Sequence, residues 1–165
     1  MFTFTKKADY ALLALSFLSS DGVGRLVGPR EIAARYEIPG ELLAKVMQTL
    51  AKHRLVASVP GPTGGYKLGR EAAAISVAEV VEAMDGPLAI AQCWEPSHGP
   101  GRCAQSGSCT IRGPLERIQI EMVRLLRETS LADVCKPVDA SDGFKPRIFA
   151  ETARLSVLPD AKVLR

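Results

Sequence analysis

The sequence predicts a mostly α-helical chain with one small β-hairpin. Three observations carry that expectation. Apolar residues recur at helical intervals over most of the first 53 positions. The period then shortens on either side of a Gly/Pro-rich tip. A second long helical pattern follows a cysteine-bearing interval.

Tyr10, Leu13, Ala14, Phe17 and Leu18 share one helical side, so residues 5–19 are expected to form an amphipathic helix, ended by Ser19-Ser20-Asp21-Gly22. Pro29 suits the first position of a second helix, whose apolar side is Ile32, Ala33 and Tyr36. A turn at Glu37–Gly40 leads into a third helix reaching about His53. Leu42, Leu43, Val46, Met47 and Leu50 are expected to face inward there, with Glu41, Ala44, Lys45, Gln48, Thr49 and Lys52 opposite. Residues 55–59 and 66–68 read as strands joined by Pro60-Gly61-Pro62-Thr63-Gly64-Gly65. Ser76-Val77-Ala78-Glu79 is a capping box that opens a short helix to about Met84. From Pro114 a longer helix runs to about Thr129, with Leu115, Ile118, Met122, Leu125, Leu126 and Thr129 along one side. Ile148, Phe149, Thr152 and Leu155 suggest one more short helix.

Charge is distributed unevenly. Residues 1–70 hold ten Lys and Arg against five Asp and Glu, and no acid occurs between Leu42 and Arg70. A basic, acid-free stretch favours a polyanion partner. Three helices followed by a hairpin is the order of a winged helix-turn-helix, and a major groove admits the third helix of such a unit. Lys45, Gln48 and Thr49 are then placed to reach base edges, with Lys52 beside them on the polar face. Lys67 and Arg70 are placed to neutralise phosphates. Thr63, Gly64, Gly65 and Tyr66 complete the expected wing contact, the glycines allowing close approach of the backbone. The expected partner is double-stranded DNA.

No apolar run is long enough to span a bilayer, and no secretory signal is evident, so the expected location is the cytoplasm, with no membrane partner. Only two histidines, His53 and His98, are present, and neither a phosphate loop nor a serine-nucleophile motif occurs. An enzyme is not expected.

Three of the four cysteines lie between Cys93 and Cys109, in Gly-, Pro- and Ser-rich sequence with little to bury them. Nine residues separate Cys93 from Cys103, and five separate Cys103 from Cys109. Thiolates on a pliable loop suit an iron–sulfur cluster. A dithiol switch needs only two of them, and the tight pair spacing usual for zinc is missing. These readings stay open on spacing alone.

Several motifs together resemble the Rrf2 family of bacterial transcription regulators. TKKADYALLAL is similar to that family's first helix. EIAARYEIPGELLAKVMQTLAKHRLVASVPGPTGGYKLGR is similar to its second helix, recognition helix and wing. AISVAEVVEAMDGPL, the triple-cysteine loop and the long helix after it complete the pattern. The resemblance covers roughly residues 2–135. It implies a reader over 1–85, a cluster loop over 86–112, a dimerisation helix over 113–135 and an extension over 136–165. It also implies a homodimer paired through Leu115, Ile118, Met122, Leu125 and Leu126. The implied ligands are Cys93, Cys103 and Cys109, holding a 4Fe–4S rather than a 2Fe–2S cluster. Asp9 matches the position at which NsrR-like members use an aspartate from the partner subunit as the fourth ligand. Arg112 stands where IscR-like members carry a histidine, and a guanidinium does not coordinate iron. His98 and Cys135 are the remaining candidates, Cys135 being expected as a packed free thiol. Pro60 stands where some relatives carry a DNA-contacting arginine. The function implied is operator binding controlled by a cluster that senses nitric oxide, iron or redox state. The alternatives are a cluster-free or thiol-switch winged-helix regulator, or a protein-interaction adaptor.

Overall fold

The computed structural model describes residues 3–91, 94, 103–105 and 107–136. Cys93, His98 and the suggested helix around Ile148–Leu155 lie outside the described residues. The chain divides into two units, Met1–Cys135 and Lys136–Arg165. All the described elements belong to the first. In order they are α1 (Lys6–Ser19), α2 (Pro29–Tyr36), α3 (Gly40–Lys52), β1 (Val56–Val59), β2 (Gly65–Leu68), a 3-10 turn (Ala72–Ala74), α4 (Val77–Asp85), α5 (Arg112–Glu128) and α6 (Leu131–Val134).

Local chemistry sets the boundaries. Thr5 caps α1, its hydroxyl accepting from the Ala8 amide. Pro29 occupies the start of α2, where its missing N–H costs nothing. Glu37 ends α2 in the left-handed region at φ 53°, turning the chain sharply toward α3. Ser76 and Glu79 form the reciprocal capping box that opens α4.

Helix α1 is more deeply packed than its sequence pattern predicts. Ala8, Ala11, Ala14, Leu15, Phe17 and Leu18 are buried, whereas Leu13, expected inside, is 37% exposed. The reason is position: α1 packs against α2, α3, α4, α6 and β2, so more than one of its faces is covered. Small alanines then serve as well as a single leucine stripe. The main core joins Leu15, Ile32, Leu43, Val46, Met47, Leu50, Leu55, Ile75 and Leu131. A smaller one joins Ala8, Val77 and Val81, with Phe4, Leu12, Met84, Leu88 and Leu126 packed on it.

The hairpin is antiparallel and in register, from Val56 opposite Leu68 to Val59 opposite Gly65. Val27 adds an unforeseen bridge. It exchanges two 2.9 Å backbone hydrogen bonds with Tyr66, tying the α1–α2 connection to the wing. A Cβ on Gly65 would come within 2.8 Å of the Val27 carbonyl oxygen, so glycine is what permits the approach.

Helix α5 packs along α4, its end beside the start of α4. Val77 donates to the Thr129 carbonyl at 2.9 Å, and Leu131 donates to the Ile75 carbonyl at 2.7 Å. The short helix α6 then buries Leu131 in the main core. No helix of the described residues is long and apolar enough to cross a membrane.

Candidate nucleic-acid interface and cysteine segment

Helix α3 has two chemically distinct faces. Leu43, Val46, Met47 and Leu50 are buried, while Lys45, Gln48 and Lys52 are exposed. Leu42, expected inside, is only half-buried, because it sits at the edge of the packed stripe. Thr49 is also half-buried, and its hydroxyl donates to the Lys45 carbonyl at 3.0 Å, leaving its lone pairs as acceptors. The helix therefore presents three flexible polar side chains over a rigid apolar base.

The wing divides differently from its sequence reading. Thr63 and Lys67 are exposed. Gly65 is buried and lies close against the Val27 backbone. Gly64 serves the turn itself, since a Cβ there would lie 2.2 Å from the Val59 carbonyl oxygen. Tyr66 is half-buried against the main core. Arg70 is exposed but engaged: its Nη2 lies 2.6 Å from Glu79 Oε1 on α4. Burial pulls the Glu79 carboxyl upward, but hydrogen bonds from Arg70 and from the Ser76 backbone outweigh it and hold the group below the usual carboxylate range.

Other exposed cations lie on α2 and at the end of α3. Arg30 and Arg35 on α2 are exposed, and Arg35 sits over the Tyr36 ring at 5.5 Å. Arg54 is exposed at φ 59°, where the chain turns from α3 into β1. All three fall in the basic N-terminal half, but charge alone does not say which cations are exposed.

Cys103 and Cys109 are free thiols, half-buried and outside both hydrophobic cores. The Cys103 thiol donates to Gln105 Oε1 at 3.6 Å. Their chemistry fits a soft metal: two unoxidised sulfurs that no apolar packing requires. Asp9 is exposed in the first turn of α1. Among the described residues no three His, Cys, Asp or Glu converge to hold a metal, so Asp9, Cys103 and Cys109 are not gathered within one chain. Cys135 packs on the main core and accepts from Ser19 Oγ at 3.2 Å, as expected of a packed thiol.

Two unforeseen contacts frame the cysteine segment. Thr5 donates to Asp85 through its hydroxyl at 2.5 Å and its amide at 3.2 Å, clipping the start of α1 to the end of α4. Gln119 on α5 grips the strand of chain before Cys93: its Nε2 donates to the Leu88 carbonyl at 2.5 Å, and its Oε1 accepts from the Ile90 amide at 2.8 Å. Replacing Gln119 with Leu, of similar size, removes both bonds. The Ile90 amide is then expected to exchange with deuterium about fivefold faster, one hydrogen bond being worth roughly 1 kcal/mol. Unchanged protection in amide-exchange mass spectrometry would refute the clamp.

Helix α5 has no fully buried residue within the chain. Leu126, expected in the dimer pairing, is half-buried and packs on the small core formed with Ala8, Val77 and Val81. Leu115 and Met122 are half-buried, and Ile118 and Leu125 are exposed, at 56% and 39%. Ile111 is also exposed on that side, and Ile120, two residues from Ile118, is exposed on a different one.

Comparison with known proteins agrees with this architecture. The Rrf2 family model, described as an iron-dependent transcriptional regulator, matches residues 4–137. The HTH-type transcriptional regulator NsrR of Oceanobacillus iheyensis is 30% identical over 131 residues, covering 79% of this chain and 88% of that protein. The HTH-type transcriptional regulator IscR of Enterobacter sp. is 27% identical over 157 residues, covering 95% and 94%. The structure of CymR, the global cysteine regulator of B. subtilis, superposes with a TM-score of 0.64 at 22% identity, covering 84% of this chain and all of that one. With its helix–helix–helix–wing order and a family match across most of its length, this chain belongs to the Rrf2 family of DNA-binding transcription regulators, a family of non-enzymes.

Proposed function

We propose that the protein is a homodimeric operator-binding regulator whose DNA affinity is set by an iron–sulfur cluster. The observation that carries this reading is the state of Cys103 and Cys109: free thiols, outside the cores, in a segment whose flanks are pinned to the reader by Asp85 and Thr129. The family's description as iron-dependent and the likeness to NsrR and IscR support it.

Cys93, Cys103 and Cys109 would hold the cluster, a 4Fe–4S type, as thiolates. Asp9 of a second copy would supply the fourth ligand; its exposure at the start of α1 supports donation outward. When bound, the cluster supplies iron open to nitric oxide, oxygen or loss at its weakest, carboxylate-held corner. The chain's own residues do the rest. Ile118 and Leu125, with Leu115 and Met122, offer an apolar face on which two copies of α5 pair. Lys45, Gln48 and Thr49 read base edges, while Lys52, Thr63, Lys67 and Arg70 meet the backbone. Gly64, Gly65 and Tyr66 keep the wing in shape. The Thr5–Asp85 clip couples the start of α1 to the cysteine segment, so displacement there moves the reader. Half-site spacing is fixed by DNA geometry, and a hundredfold change in affinity needs only about 2.7 kcal/mol of coupling.

Anaerobic native mass spectrometry of the full chain tests this directly. A dimer carrying iron and sulfide is expected. A metal-free dimer whose duplex affinity follows thiol oxidation would favour the thiol-switch reading instead, and a monomer would remove the pairing role of α5.

A further inference from the structure

Arg70 closes the acid-free stretch and follows the second strand of the wing. The carboxylate that holds it does two things with two oxygens. Glu79 Oε1 binds the Arg70 guanidinium at 2.6 Å. Glu79 Oε2 accepts from the Ser76 amide at 3.0 Å and the Ser76 hydroxyl at 3.2 Å, closing the cap of α4. The ion pair is open to water, with side chains 40% and 42% exposed, so it is weak. A DNA backbone offers a denser row of anions, and its condensed counterions are released when a cation arrives.

We propose that Glu79 is a resident stand-in for phosphate: it holds Arg70 in the free protein and surrenders it to a DNA phosphate in the complex, keeping the α4 cap throughout. The proposal rests on reading the wing as a DNA contact. It makes Glu79 a positioning residue that lowers duplex affinity uniformly, because every bound state must first break the same pair.

The test uses the full-length protein and two labelled duplexes, one from a random pool enriched on the wild type and one unrelated sequence of equal length. Glu79→Gln keeps an acceptor for the cap, since glutamine serves at that position, but releases Arg70. It is expected to bind both duplexes about two- to fivefold more tightly. Arg70→Gln should make the slope of log affinity against log salt shallower by about 0.9, the signature of one lost phosphate contact. In the Arg70→Gln background, Glu79→Gln should then gain nothing. Glu71→Gln removes the same charge beside Arg70, where no ion pair exists among the described residues, and should gain less than Glu79→Gln. An unchanged slope in Arg70→Gln, a Glu79→Gln gain that survives in that background, or an equal gain from Glu71→Gln overturns the proposal. Should Glu79→Gln lose helical signal in circular dichroism, the Arg70→Gln slope alone decides. Lys67→Gln separates the two levels of inference: a shallower slope there with none in Arg70→Gln sinks only the stand-in, whereas no change in either sinks the wing contact as well.

Discussion

Protein carrying Cys103→Ser together with Cys109→Ser is expected to purify colourless under anaerobic conditions, and the wild type is expected to be brown, with bound iron and sulfide, as the proposed cluster requires. The substitution leaves one of three thiolates, and a serine hydroxyl is a poor match for iron in a sulfide cluster. The fold should not suffer. Both positions lie outside the hydrophobic cores, so unfolding free energy is expected to stay within about 0.5 kcal/mol. What should vanish is the response: the roughly hundredfold shift in duplex affinity with cluster state proposed for the wild type is expected to be lost, with affinity indifferent to reconstitution. Iron and sulfide retained at wild-type levels in the double variant would break the assignment of these ligands.

The second large effect separates the two faces of α3. Leu50 has no exposed surface, and Leu50→Ala is expected to cost about 2–5 kcal/mol through lost transfer energy and the cavity left behind. That is a large part of the roughly 5–15 kcal/mol that holds a domain of this size together. Urea denaturation should show a lower midpoint with an unchanged slope. Lys45→Ala, little more than one turn away on the exposed face, should leave stability within about 0.5 kcal/mol. Its cost falls on binding: about 5- to 150-fold weaker affinity for an enriched duplex, matching the roughly 1–3 kcal/mol of a base contact. If Lys45→Ala lowered the denaturation midpoint and left duplex affinity intact, the division of α3 into a packing face and a reading face would be wrong.

The elements that could be read from sequence are those with enough length for a period to repeat. The periodic stripe of α3, the Ser76–Glu79 capping box and the Gly64-Gly65 wing each announce themselves locally, and each is present. The features that escaped notice are single contacts between distant residues. The Val27–Tyr66 bridge is one residue pair and leaves no pattern. Helix α6 is four residues long, too short for periodicity, although its Ser130–Asp133 capping box was there to be seen. For α1 the stripe is blurred, because a helix covered on several sides does not separate apolar from polar residues cleanly. Within the candidate site, the exposed face of α3 followed from spacing. The engagement of Arg70 by Glu79, the grip of Gln119 on Leu88 and Ile90, and the inward turn of Leu126 did not. Which of two equally placed cations is free, or which of five equally apolar residues is covered, depends on what the tertiary fold brings alongside.

The described residues that flank the cysteine segment are fastened on both sides. Asp85 is bound to Thr5 before it, and Thr129 and Leu131 are bound to Val77 and Ile75 after it. Between those footings Leu88 and Leu126 also pack on Ala8, Val77 and Val81, so a pull on this part of the chain reaches α1 and α4 through packed side chains as well as through the two fastenings.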